Sequence, residues 1–420
     1  MAQSEGTTTS FLAIYISIRD EIVQIQNDRT RSLDQLRELL SKTLTEFSSS
    51  PLSLFQFECG VNPMQIQSVQ LDRIMSSMLN IVEACGGSEG ERYVASAVVA
   101  CAETHSLEED RGVTKSERLR ALGVTWLTHF LFPFVVGRGR DKRSLGQYSA
   151  LVSENKNTEE GVRISQRNRL LLRDGFSCVA TCVLDDSHPR PDEGAAQVWL
   201  EAARILPLTL SDFDTDEQSD SYQSALLTLE ILRNIASLQN TITLTDLARC
   251  INHESNMMML ESNTCSAFNR FEWCLKSTEE ENMYTLQYFR NTGIVGSLRS
   301  RYMDVNAPVE IKDRSAAFMF TLSSSFLRCL SHQKSSGCEH PLTPSLSLPN
   351  PYFISIHAAL FDILHASSAD TFFNAMLRHY AVVTKDGHGR EPAPRCWVEF
   401  EQMKEIWDLR EVLNASIGGG

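Results

Sequence analysis

The sequence predicts an α+β protein: an N-terminal all-helical region, then a domain of short strands and helices, with further helices towards the C-terminus. Three observations predict it. Over the first 137 residues, apolar side chains recur at three- and four-residue spacing. From Cys178 to Phe289 the pattern changes to short strand-like runs between helices. Hydrophobic residues make up 42% and charged residues 22% of 420, the proportions of a packed chain long enough for two or three domains.

The elements follow in order. Leu33, Leu36, Leu40, Leu44 and Phe47 form one helical stripe; Leu71, Ile74, Met78, Ile81 and Val82 a second; Leu119, Leu122, Trp126 and Phe130 a third. Gly86-Gly87 is expected to stop one helix, and Ser88 with Glu91 to form a capping box for the next. Further on, Val198 to Leu206 is strand-like, Ser224 to Ile235 helical, Thr264 to Leu275 a short amphipathic helix capped by Asn263, and Tyr284 to Phe289 a strand. Val309-Glu310-Ile311 is another short strand. Residues 331–350 read as a loop, His357 to Leu364 and Ala369 to Arg378 as helices, and Val398 to Leu413 as a last helix. The domains drawn from this are a helical region over 1–137, a basic and polar linker over 138–160, a strand-and-helix domain over 161–290, an extension over 291–380 packing on that domain, and a tail over 381–420.

A net charge of −14 argues against indiscriminate binding of nucleic acid by the whole surface. Eleven scattered cysteines make no disulfide framework, and the polar start lacks the order of a signal peptide. A reducing compartment, cytoplasmic or nuclear, is therefore expected. The most apolar run, Ala121 to Val136, is too short to span a bilayer and is interrupted by His129 and Pro133; it reads as a buried helix, and no membrane partner or transmembrane helix is expected. Charge is uneven, however. Between Arg138 and Arg173 there are nine Lys/Arg against four Asp/Glu, a contrast that suits a phosphate backbone and makes Arg163, Arg167, Arg169 and Arg173 candidate nucleic-acid contacts. The alternative is a solvated helix behind a basic linker.

The segment Arg173-Asp174-Gly175-Phe176-Ser177-Cys178 leads into Leu200-Glu201-Ala202-Ala203-Arg204-Ile205-Leu206-Pro207. About fifty residues on come Asn256, the apolar Met257 to Leu260, then Cys265 with Phe268 three residues later. This series resembles the HNH nuclease family: an Arg-Asp-Gly-aromatic opening, a first strand ending at a histidine, an asparagine, a second strand, and a helix bearing the last histidine. Arg92-Tyr93-Val94-Ala95-Ser96-Ala97 and the run Thr125 to Pro133 are similar to segments of fungal HNH-domain proteins, so the likeness covers most of the chain. The resemblance implies a ββα-metal domain with the first histidine as general base, the asparagine as orienter of the connecting loop, and the last histidine as ligand of one divalent metal.

Both histidines are replaced. The general-base position is Arg204, whose guanidinium has no lone pair to take a proton at neutral pH. The metal-ligand position is Cys265, a soft ligand unsuited to magnesium. Losing a positioned base alone costs on the order of 10²–10⁴ in rate. Only Asn256 survives. His253 and His188 are the nearest substitutes as base. The pairs Cys178/Cys182 and Cys265/Cys274 are poorly spaced for zinc and read as buried thiols, while His332, Cys338 and His340 form a weak loop cluster. The leading expectation is an HNH-like protein with a degenerate site and lost endonuclease activity that retains DNA as a partner, with Arg204 holding phosphate. The alternatives are an active endonuclease with a rearranged site, needing Mg2+ or another divalent metal, and an intracellular interaction protein built on the helical region.

Overall fold

The structure, a computed structural model, describes residues 8–60, 64–103, 113–137, 159–238, 241–289, 307–318, 346–383 and 394–417. In chain order the first elements are α1 (Thr8–Asn27), α2 (Leu33–Ser48), β1 (Leu54–Cys59), β2 (Gln65–Gln70), α3 (Leu71–Glu103) and α4 (Lys115–Val136). Next come α5 (Glu159–Arg173), β3 (Leu184–Asp185), β4 (Gln197–Val198), β5 (Leu200–Arg204), α6 (Asp220–Ile235), α7 (Leu244–Ile251), β6 (Met257–Glu261) and α8 (Ser262–Asn269). The last are β7 (Trp273–Ser277), β8 (Met283–Tyr288), β9 (Val309–Glu310), α9 (Pro351–Ala366), α10 (Ala369–Val383) and α11 (Trp397–Ile417). The protein is mixed helix and strand. Residues 138–158 of the basic linker, the loop cluster of His332, Cys338 and His340, and the side chain of Arg163 lie outside the described residues, while 159 and 160 already belong to α5.

The chain divides into two units that interleave in sequence. One comprises residues 1–137, 209–247 and 362–420; the other, residues 138–208 and 248–361. This corrects the contiguous boundaries drawn from sequence. Residues 209–247 leave the strand-and-helix domain to join the helical unit, and residues 362–420 do the same instead of forming an extension and a tail.

In the first unit, Arg92 fixes the α1–α2 turn by donating to the carbonyls of Gln26 (2.8 Å), Arg31 (3.0 Å) and Asp28. Helix α3 continues past Gly86 but kinks at Gly87, where φ is 58°. Cβ atoms at Gly86 and Gly90 would strike the main-chain carbonyl of Ile235, so these glycines let α6 approach closely. Glu91 is spent on Arg37 (2.6 Å) rather than on a capping box. Helix α4 is long and apolar enough to cross a membrane, yet that stretch is wholly buried within the unit; residues Trp126–Leu131 form a π-helical turn.

The N-terminal region is not all-helical. Strands β1 and β2 pair antiparallel from Leu54 opposite Gln70 to Cys59 opposite Gln65. Phe55 and Phe57 pack edge-on against Trp397 of α11, with ring centroids 6.3 and 5.3 Å apart, and Phe132 meets the same indole at 5.0 Å. The hairpin thus supplies one wall of an aromatic core whose other walls are helical.

In the second unit, β5 and β6 pair antiparallel, Leu200 opposite Glu261 and Arg204 opposite Met257. Helix α8 follows at once. It ends at Asn269 and is capped by Glu261, whose carboxylate accepts from the N–H groups of Asn263 and Thr264, both at 3.0 Å. The helix expected to run to Leu275 under an Asn263 cap is therefore shorter. Trp273 onward instead forms β7, in a β7-β8-β9 antiparallel sheet.

Candidate functional site

The β5–β6 hairpin has an unusual connection, with about fifty residues between its strands. Something must hold the mouth of that excursion closed. Asn256, wholly buried just before β6, does so. Its Oδ1 accepts the Leu206 N–H at 2.8 Å, and its Nδ2 donates to the carbonyls of Leu206 and Ile251, both at 2.9 Å. Its own carbonyl accepts the Ile205 N–H at 2.8 Å. Only a side-chain amide offers an acceptor and two donors from one planar group, which is why aspartate or leucine would not serve.

Arg204 is the last residue of β5, half-buried, with Nη2 3.4 Å from Asn252 Oδ1. It stands opposite Met257, so the hairpin register brings Arg204 and Asn256 to the same end. Cys265 sits on α8, which leaves the opposite end of β6, four residues away or ~13 Å along the strand. It is 4% exposed and accepts from Asn269 Nδ2 at 3.7 Å.

These three positions do not fit a hard divalent cation. They offer a guanidinium, an amide whose atoms are bonded to backbone, and a buried soft sulfur, where magnesium needs oxygen ligands. The neighbouring carboxylate of Glu261 is occupied in capping α8. Among the described residues no group of three His, Cys, Asp or Glu side chains is arranged to hold a metal. His253 Nδ1 accepts the Ser255 N–H at 3.2 Å and caps the short turn before Asn256. His188 Nδ1 accepts the Arg190 N–H at 3.2 Å; its ring packs edge-on against Phe176, and burial lowers its pKa. Cys178 is buried and Cys182 exposed; the described cysteines form no disulfide.

The arginines of α5 are the main correction. Arg173 is fully buried and all five of its N–H donors are committed. Nε and Nη2 hold Asp174 at 2.6 and 3.0 Å, Nη1 donates to Glu254 and Ser347 carbonyls, both at 2.9 Å, and Nη2 donates to the Met257 carbonyl at 2.7 Å. Asp174 Oδ2 in turn accepts the Met259 N–H at 2.8 Å. Arg173 and Asp174 together satisfy alternate backbone groups along the outer edge of β6, as a third strand would. Arg167 donates to Asp185 at 2.7 Å and to the Leu200 carbonyl at 3.2 Å, and its guanidinium lies 3.5 Å from the centroid of the Trp199 ring. Asp185 also accepts the Leu200 N–H at 3.0 Å. Arg169 pairs with Glu254. Three of the four arginines expected on phosphate are thus held by Asp174, Asp185 and Glu254, and they position the hairpin instead.

Sequence reasoning missed Asp174 and Asp185 as partners, although Asp174 adjoins Arg173 in the chain. Scans against protein-family models, curated proteins and solved structures find no match to this chain.

Proposed function

We propose that the second unit is an HNH-like ββα domain that has lost one-metal phosphodiester hydrolysis and persists as a scaffold. The observation that carries this reading is the pairing of a fully engaged Asn256 with an arginine and a buried thiol at the positions of base and ligand. Asn256 bonds the backbone on both sides of the excursion, which supports the orienting role the resemblance would imply for it. The groups that would ionise water and grip a hard cation are absent from those positions. A plasmid-nicking assay across magnesium, manganese and zinc tests it: no nicking above background is expected, and metal-dependent nicking by the purified chain overturns it.

DNA as a partner rests on a narrower footing. With Arg167, Arg169 and Arg173 paired to carboxylates, Arg204 at the mouth of the hairpin and Arg163 are the remaining candidates for phosphate contact. A permanent cation in place of a base favours holding a phosphate over cutting beside it. Each phosphate contact adds about 0.9 to the log-log salt slope of duplex binding. A slope of about −1 to −2 is expected, and a slope near zero removes DNA from the reading.

A further inference from the structure

No further inference is drawn: the strongest candidate, the buried pair in the first unit where His129 Nδ1 lies 3.0 Å from the Ser224 hydroxyl beside a recess lined by Pro133 and Arg395, carries nothing, because that recess has room for about one water molecule and none for a substrate.

Discussion

Asn256 and Leu206 are joined by two hydrogen bonds through one amide: Oδ1 accepts the Leu206 N–H at 2.8 Å and Nδ2 donates to the Leu206 carbonyl at 2.9 Å. This closed pair pins the entrance of an excursion of about fifty residues to the start of the strand that ends it. A third bond, to Ile251, ties the exit to the same point.

Asn256→Ala should therefore cost about 2–4 kcal/mol. Three buried bonds are lost, each with a net worth of about 1 kcal/mol, and backbone groups are left without partners. Urea unfolding of the variant measures it. A loss under about 0.5 kcal/mol would mean that the loop is held by something else.

Arg173→Met should destabilise by about 3–5 kcal/mol, because Asp174 would keep a buried charge without its partner. It should leave the salt slope of any DNA binding unchanged, because Arg173 has no donor to spare for phosphate. A slope shallower by about 1 in the variant would return Arg173 to the nucleic-acid surface.

Gly90→Ala places a methyl group against the Ile235 carbonyl, so α3 and α6 must separate. A loss of about 1–3 kcal/mol is expected, against the slight gain that alanine brings to an unobstructed helix. Thermal unfolding decides the sign.

The pH dependence centres on His129. Burial depresses its pKa from 6.5 to about 4, and its Nδ1 lies 3.0 Å from the Ser224 hydroxyl. The sign follows from which state takes the proton first. Above pH 6.5 both states are neutral there and the contribution is fully present. As pH falls from 6.5 towards 4, the unfolded chain is protonated while the folded one is not, so stability drains away. About 3 kcal/mol is at stake across that window. His129→Gln should flatten the stability profile between pH 6.5 and 4, and an unchanged slope would assign the acid sensitivity to other groups.

Much of this architecture could be read from local pattern, and the rest could not, for identifiable reasons. Leu36, Leu40, Leu44 and Phe47 share one face of α2 because their spacing says so. The strands either side of Arg204 and Asn256 were legible as short apolar runs. The β1–β2 hairpin was overlooked although Phe55, Phe57 and Cys59 alternate with Gln56 and Glu58, a period-two signal surrounded by helical sequence. The arginines of α5 read as a basic surface because pairing is not a local property: Asp185 and Glu254 lie 18 and 85 residues from the arginines they hold. Interleaving of the two units likewise depends on contacts made far apart in the chain.

The central claim, a preserved cradle without its chemistry, is tested most directly by putting the histidines back. Plasmid nicking in magnesium should be absent for the original chain, appear in Arg204→His combined with Cys265→His, and vanish again when Asn256→Ala is added. Magnesium-dependent nicking by the original chain that is abolished by Asn256→Ala would contradict it.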